Sequence, residues 1–345
     1  MKKQKSPRPP RIACLAVPKV HASSLYGGYE MFKIAGLRFN TNEMSIAGER
    51  SLDPVIVGPS CDFVLGWNDV KIAPEFGVDD VGPVDAIFIP SIGAIDEKPP
   101  VADPNVLAWI NNNYKAGSII ATACMGTFFL AGAGLLNGER ATTHWAFSED
   151  FKSSYPQVAL QKRSGMSFAG EGHRIITAGG GSMWMDLVLF LITKFVSHEA
   201  AVQISKLYLV DWARDDQLVY ACLEATNQHS DQLIQRSQRV IAEALTDANV
   251  LSKARAISGL PDRTFERRFK AATGIPAVKY VQQLRVELAK RILEETQTPT
   301  EEIALAVGYS DPTSFRRLFI RLVGVTPSDY RKRFGRKWPT VEMTA

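Results

Sequence analysis

Basic side chains at helical spacing form the clearest chemical pattern in the C-terminal third of this 345-residue sequence. Arg263, Arg267 and Lys270 are four and then three residues apart, so on a helix they share one face. A similar polar and basic group lies further along the chain: Thr313, Ser314, Arg316, Arg317 and Arg321. Arginine can donate two hydrogen bonds to a guanine edge, and arginine or lysine can also neutralise a phosphate. A single arginine-rich helix face is more often an ordinary solvent-exposed surface than a DNA-binding one. The occurrence of two matched faces therefore favours DNA binding.

The two basic segments belong to an internal repeat. Phe265 and Phe269 match Phe315 and Phe319, an offset of 50 residues. Flanking residues keep the same offset, Gly274 with Gly324 and Tyr280 with Tyr330. Phenylalanines four residues apart bury together on one helix face and leave the basic residues on another. A short helix, a tight turn containing glycine and a helix with an exposed polar face predict a helix-turn-helix unit, here used twice.

Residues 250–334 resemble the AraC/XylS family of bacterial transcription regulators. The segments that carry the resemblance are GLPDRTFERRFKAATGIPAVKYVQQLRVELAKRIL and EEIALAVGYSDPTSFRRLFIRLVGVTPSDYRKRF. It implies two helix-turn-helix units joined by a long helix at 277–295, whose recognition helices enter successive major-groove segments roughly 34 Å apart. We assign base readout to Arg263, Arg267, Thr313, Ser314 and Arg317. We assign phosphate contacts or surface charge to Arg268, Lys270, Arg316 and Arg321.

A second chemical pattern surrounds Cys124, in the stretch ACMGT at residues 123–127. A cysteine on a tight strand-to-helix turn resembles a nucleophile elbow, in which the following helix N-terminus favours a thiolate. A cysteine hydrolase also needs a base beside the sulfur, and Met125, the next residue, cannot accept a proton. Three interpretations of the thiol stay open: inert packing, lining of a ligand pocket, and reactivity with His144 approaching from elsewhere in the fold.

Alternating strand and helix patterns predict a mostly parallel sheet covered by helices on both faces. Strands are predicted at 12–17, 44–47, 54–57, 86–90, 118–123 and 174–178, and helices at 29–37, 104–115, 126–136 and 183–196. Ligands of such sheets bind outside the carboxyl ends of the strands, which points to residues 90–93 and to the Cys124 turn. The candidate ligand-binding residues are Gly93, Cys124, Met125, His144, Trp145 and Trp184. If both tryptophans face the pocket, they could hold a cationic amine by cation–π attraction.

Residues 119–145, IIATACMGTFFLAGAGLLNGERATTHW, resemble the class I glutamine amidotransferase-like domain of the ThiJ/PfpI superfamily. More narrowly, they resemble the version fused to AraC-type DNA-binding domains. The resemblance implies a flavodoxin-like α/β fold over residues 11–200. Catalytic members have a histidine directly after the cysteine and a glutamate soon after the first strand. In this sequence Met125 occupies the position of that histidine. His21 lies nearest to the expected position of the glutamate, and Glu30 follows about two turns later. These departures predict a domain that is not an enzyme.

Charge is distributed unevenly along the chain. From residue 227 onward there are 20 Lys and Arg against 13 Asp and Glu, whereas the first 226 residues carry 20 against 23. This asymmetry favours a nucleic-acid partner for the C-terminal part. The four cysteines form no CxxC pair or His/Cys cluster, which argues against a disulfide framework or metal site and indicates a reducing cytoplasm. The uncharged run at 119–136 is broken by glycines and threonines, so no membrane segment is expected.

These patterns predict a disordered tail at 1–10, a ligand-sensing and dimerisation domain at 11–225 and a DNA-binding domain at 226–338. The expected function is a cytoplasmic, sequence-specific transcription regulator, and the family resemblance favours activation. Its expected partners are double-stranded promoter DNA, a small nitrogen-containing metabolite, RNA polymerase and a second copy of the chain, with no cofactor. Two alternatives stay open: a cysteine-dependent amidase or hydrolase with an appended DNA-binding domain, and a dimeric DNA binder without a ligand.

Overall fold

The chain divides into two compact units, residues 1–217 and 218–345. The structure, a computed structural model, describes residues 8–40, 45–47, 51–93, 102–211, 217 and 229–335. The division falls before the predicted boundary between residues 225 and 226, and that boundary lies outside the described residues. Each unit has its own buried core and is described separately below.

The N-terminal unit is built of strands and helices in alternation. Its strands are β1 (Arg11–Leu15), β2 (Arg38–Asn40), β3 (Ser45–Ala47), β4 (Asp53–Gly58), β5 (Val64–Leu65), β6 (Lys71–Ile72), β7 (Phe76–Gly77), β8 (Ala86–Ile89), β9 (Ile119–Ala123), β10 (Arg140–Ala141), β11 (Ala159–Leu160), β12 (Met166–Ala169) and β13 (Ile175–Ala178). Its helices are α1 (Ala22–Ile34), α2 (Pro104–Lys115), α3 (Thr127–Gly132), α4 (Ser148–Ser154), α5 (Met183–Phe195) and α6 (His198–Leu207).

Seven strands form the central sheet, in the order β12-β13-β9-β8-β1-β4-β7. All neighbouring pairs are parallel except β12 with β13. The middle strands β1, β8 and β9 are almost continuously buried, as expected when helices cover both faces. The predicted flavodoxin-like, mostly parallel sheet is confirmed.

Several predicted bounds in this unit differ from the structure. Helix α1 begins at Ala22 rather than residue 29, because Gly28 allows the helix to pack on Phe88, where a Cβ would lie 2.6 Å from the ring. Helix α3 ends at Gly132 rather than residue 136, and Gly134 there has a φ of +76°. The tail predicted to be disordered extended to residue 10, whereas Arg8 forms an ion pair with Asp85 at 2.9 Å. Residues 1–7 of that tail, and Met44 of a predicted strand, lie outside the described residues.

The C-terminal unit is helical over its described residues. Its helices are α7 (Gln232–Glu243), α8 (Val250–Ser258), α9 (Asp262–Thr273), α10 (Ala277–Glu295), α11 (Thr300–Ala306), α12 (Pro312–Val323) and α13 (Pro327–Phe334). Helix α10 has the bounds expected for the long helix that joins the two helix-turn-helix units. No helix in the described part of the chain has the length and apolarity needed to cross a membrane.

The internal repeat is reproduced in three dimensions. Helices α9 and α12 each have 12 residues and end at a glycine with positive φ, Gly274 at +79° and Gly324 at +90°. Phe269 meets Tyr280 edge to face at 5.2 Å, and Phe319 meets Tyr330 in the same way at 5.7 Å. The aromatic pairs lie in two separate apolar cores, one per helix-turn-helix unit. The prediction of two matched units is confirmed.

Candidate ligand pocket and nucleic-acid interface

The Cys124 turn lies where β9 ends, at the carboxyl edge of the sheet. Cys124 has a φ of +60°, a conformation that non-glycine residues rarely adopt. Its N–H donates to the Gly179 carbonyl at 3.0 Å, which ties the turn to the loop after β13. Close packing continues at Gly126, where a Cβ would lie 2.1 Å from Thr122 Oγ1. Strain held in place by neighbouring contacts is typical of functional turns.

The Cys124 thiol is protonated at neutral pH. Burial raises its pKa to about 11, and the opposing contacts with the N–H groups of Met125 and Gly181 and with the Ser91 hydroxyl are weaker. The structure therefore reverses the expectation that the turn would favour a thiolate. Among the described residues, no histidine nitrogen contributes to the shift in the pKa of the Cys124 thiol.

A partly open cavity of about 320 Å³ lies beside this turn. It collects residues from the ends of β8, β9 and β13 and from the start of α1, as ligand sites in parallel sheets do. Among the described residues that line it, none is an Asp, Glu, Lys or Arg. The lining residues are His21, Ser23, Ser24, Trp67, Ser91, Ile92, Gly93, Cys124, Met125, His144, Phe147, Gly181 and Trp184.

Two aromatic surfaces define the cavity walls. The Trp67 indole stacks on the His21 imidazole, with ring centroids 5.4 Å apart and planes 9° from parallel. Gly93 makes this stack possible, since a Cβ there would lie 1.9 Å from the Trp67 ring. On the α5 side, Trp184 is buried, and its indole lies 2.5 Å from where a Cβ of Gly27 would be. The cavity shape therefore depends on two glycines that leave room for tryptophan rings.

The polar groups of the cavity are neutral. Burial lowers the pKa of both His21 and His144, so both imidazoles are uncharged at neutral pH. His144 Nδ1 accepts a hydrogen bond from the Ala146 N–H at 3.1 Å, which leaves the proton on Nε2. The Ser91 hydroxyl faces the Cys124 sulfur but has no hydrogen-bond partner of normal geometry. It is a buried polar group that a ligand could satisfy.

The cavity brings together most of the predicted ligand-binding residues. Gly93, Cys124, Met125, His144 and Trp184 line it, whereas Trp145 does not. Trp145 follows His144 on a single 3-10 turn, with ring centroids 5.3 Å apart, so its indole is placed beside His144 rather than in the cavity. Trp67 takes the position expected for Trp145. Sequence reasoning missed Trp67 because only the fold of the β5–β6 hairpin brings it to His21.

A larger open groove of about 1210 Å³ lies at the other edge of the sheet. Its lining includes Ile119 and Arg174, at the amino ends of β9 and β13. None of the predicted site residues reaches it. The smaller cavity is therefore the candidate ligand site.

Iodoacetamide is expected to modify Cys124 slowly at pH 7. Only the thiolate reacts, and the thiolate is a small fraction of the Cys124 side chain when its pKa is about 11. The rate should rise about tenfold per pH unit below that pKa. Peptide mass spectrometry after timed labelling measures it, with exposed Cys61 as an internal reference. Rapid labelling of Cys124 at pH 7 would contradict this account and revive the hydrolase alternative.

The basic residues of the two recognition helices face solvent. Exposed side chains on α9 and α12 are Arg263, Arg267, Lys270, Thr313, Ser314, Arg316, Arg317 and Arg321. Within the part of the chain that the structure describes, neither Arg267 nor Arg317 has an ion-pair partner. These two arginines occupy the same position in the repeat, 50 residues apart. The exposed face is thus polar, basic and repeated, as a pair of major-groove helices requires.

The start of α12 is organised by Asp311. Its carboxylate accepts from the N–H groups of Thr313 and Ser314 at 3.0 and 2.9 Å and from the Ser314 hydroxyl at 2.6 Å. These bonds, the Ser314 hydroxyl above all, lower the Asp311 pKa. The hydroxyl proton of Ser314 is therefore used in the hydrogen bond to Asp311. Its oxygen remains free to accept a hydrogen bond from a base amino group.

Arg268 is bonded within the C-terminal unit. Its Nε and Nη2 atoms donate to the Asp231 carboxylate at 2.9 and 2.7 Å. Asp231 is the N-cap of α7, and Arg268, first among its contacts, lowers its pKa. This bidentate pair joins α9 to α7, so the Arg268 guanidinium is less available for a base edge than that of Arg267.

Comparison with known proteins agrees with this architecture. Residues 256–333 match the helix-turn-helix domain, and residues 39–192 match the DJ-1/PfpI family. Along the chain, a region that matches the DJ-1/PfpI family therefore precedes a region that matches a helix-turn-helix domain.

Several proteins of similar sequence are named as HTH-type transcriptional regulators. The HTH-type transcriptional regulator CdhR of Pseudomonas aeruginosa is 26% identical over 78% of this chain and 78% of its own length. GbdR of the same species, also an HTH-type transcriptional regulator, is 25% identical over 78% of this chain and 72% of its own. A crystal structure of an AraC family transcriptional regulator from Pseudomonas putida has a TM-score of 0.47 at 16% identity, covering 58% of this chain and 100% of that one. The chain thus contains a helix-turn-helix domain and is similar over most of its length to proteins named as HTH-type transcriptional regulators.

Proposed function

We propose that the protein binds promoter DNA through α9 and α12 and regulates transcription in response to a small molecule held in the cavity beside Cys124. The observation that carries the DNA-binding part is the repetition of one exposed basic helix face at an offset of 50 residues. Two such faces suit two successive major-groove segments. We also propose, from the family resemblance, that the protein acts as a cytoplasmic homodimer that contacts RNA polymerase.

The chemistry of the cavity supports a nitrogen-containing ligand with a permanent positive charge. Trp67, Trp184 and the neutral His21 line the cavity, and aromatic ring faces attract cations without a carboxylate partner. A quaternary ammonium group fits such a lining because it carries no N–H that would need an acceptor. The Ser91 hydroxyl supplies a polar contact for the other end of the ligand. We therefore propose quaternary amines and related amino acids as the ligand class.

We also propose that the N-terminal domain has no hydrolase activity. Cys124 is protonated, Met125 replaces the adjacent base, and among the described residues no histidine nitrogen contributes to the shift in the pKa of the thiol. In this arrangement the thiol is part of the cavity wall. Its position links a bound molecule to the start of α3 through the strained turn.

A thermal-shift screen of the full-length chain against amino acids and quaternary amines tests the ligand proposal. A compound at a hundred times its dissociation constant should stabilise its domain by about 2.7 kcal/mol, a rise of several degrees or less. Trp67→Ala should abolish the shift because Trp67 forms a wall of the cavity. Trp145→Ala is the matched control and should retain it. Equal loss in both variants, or no hit in the library, would contradict the proposed site or ligand class.

Selection from a random duplex library tests the DNA proposal. The full-length chain should enrich a duplex with two conserved blocks about one helical turn apart. This enriched sequence is called the selected duplex below. Failure to enrich any sequence, or enrichment of a single block, would contradict the use of both recognition helices.

A further inference from the structure

One buried arginine lies where the two helix-turn-helix units meet. Helix α10 packs its first half, including Tyr280 and Val281, on the core of the first unit. Its second half, including Val286 and Ala289, packs on the core of the second unit. Arg285 stands at the change from one core to the other, and only 9% of its surface is exposed. A buried guanidinium at such a junction requires an explanation, because burial of a charge is costly unless it is fully hydrogen bonded.

All three donating nitrogens of Arg285 are used. Nε donates to the Leu245 carbonyl at 2.9 Å and Nη2 to the Asp247 carbonyl at 2.8 Å, both in the loop between α7 and α8. Nη1 donates to the Gly308 carbonyl at 2.9 Å, in the turn between α11 and α12. The Leu245 and Asp247 carbonyls belong to the first helix-turn-helix unit, and the Gly308 carbonyl belongs to the second helix-turn-helix unit. A single planar group therefore bonds both units.

The turn of the second unit is shaped to receive this group. Gly308 has a φ of +91°, so other residues would be strained there. A Cβ at Gly308 would also lie 2.5 Å from the Thr246 carbonyl oxygen and 2.9 Å from the Arg285 guanidinium carbon. The ring of Tyr309 covers the guanidinium, with the carbon 5.4 Å from the ring centroid. The backbones of both units thus approach each other directly around Arg285.

We propose that Arg285 is a positioning residue that fixes the orientation of α9 relative to α12, and so sets the spacing between DNA blocks that the protein accepts. The proposal rests on the proposed function, since it concerns DNA bound by both units. Guanidinium geometry suits this role because its planar fork directs each hydrogen bond. Without these bonds, α10 would still join the two cores, but the α7–α8 loop and the α11–α12 turn would no longer share the guanidinium.

Spacing variants of the selected duplex test the proposal. Wild-type protein and Arg285→Met are compared, at one salt concentration, on the selected duplex and on duplexes with one or two base pairs inserted or removed between the blocks. For wild type, altered spacing should reduce affinity about tenfold or more, the cost of losing part of a specific contact set. For Arg285→Met the reduction should be under about threefold, because the units can adjust to either spacing.

Two further variants control for general loss of stability. Lys290→Met removes another buried cation from α10, one that pairs with Glu287 on the same helix, and should leave the spacing preference unchanged. Arg285→Lys keeps the charge but replaces the planar fork of three nitrogens by a single ammonium group, and should show a relaxed preference even if Arg285→Met fails to fold. An unchanged spacing preference in a folded Arg285 variant would overturn the proposal. A wild-type chain that enriches no two-block duplex would instead contradict the proposed function.

Discussion

Phe319→Ala is expected to lower the free energy of unfolding of the second helix-turn-helix unit by about 3–5 kcal/mol, the usual cost of removing a fully buried phenyl ring. Phe319 has no exposed surface, and its ring packs on Phe315 and Tyr330. Hydrogen exchange of the full-length chain is the suitable measurement because it reports each helix separately. Amides of α12 and α13 should exchange faster by a factor of about a hundred to a few thousand.

The neighbouring residue provides the control. Ile320 lies on the same helix but is 37% exposed, so Ile320→Ala should cost about 1 kcal/mol or less. Because the two cores are separate, α9 in the first unit should be affected less than α12 in either variant. Equal acceleration in Phe319→Ala and Ile320→Ala, or uniform acceleration across both units, would contradict the assignment of two cores.

Arg267→Ala and Arg317→Ala are each expected to weaken binding to the selected duplex by about 1–3 kcal/mol and to relax preference at one base. The two residues occupy equivalent positions on α9 and α12, are exposed, and have no ion-pair partner among the described residues. Their guanidinium groups are therefore available for a base edge. Each substitution should relax a different block of the duplex. Fluorescence anisotropy on duplexes with single base changes measures this.

Arg268→Ala is the matched control for the first unit. Its guanidinium is bonded to Asp231, so its loss should weaken the cap of α7 rather than base preference. A relaxed base preference in Arg268→Ala would show that the helix presents a different face to DNA. Equal weakening of Arg267→Ala on selected and random duplexes would make Arg267 a phosphate contact.

Local signals made much of the fold predictable from the sequence. Helix α2 has its predicted bounds because Asp103 caps it and Pro104 begins it, both signals that act within one turn. Helix α10 was equally clear because its apolar residues keep one period over 19 residues. The paired phenylalanines located α9 and α12 because the same spacing occurs twice. Such features need no knowledge of distant contacts.

The less predictable features depend on residues far apart in the chain. Trp67 reaches the cavity because the β5–β6 hairpin folds back on His21, and no sequence spacing encodes that approach. The charge state of Cys124 follows from burial by several elements, which outweighs the helix N-terminus beside it. Nothing in the sequence distinguishes Arg268 and Arg285 from the arginines that face solvent. The structure distinguishes them, because Arg268 bonds a carboxylate and Arg285 bonds backbone carbonyls.

The most direct test of ligand control is the affinity of the full-length chain for the selected duplex, measured with and without the compound that stabilises it in the thermal-shift screen. The account predicts that the compound changes the affinity of wild-type protein and of Trp145→Ala, and leaves Trp67→Ala unaffected. An affinity that is the same with and without the compound in wild-type protein would contradict control of DNA binding by the cavity.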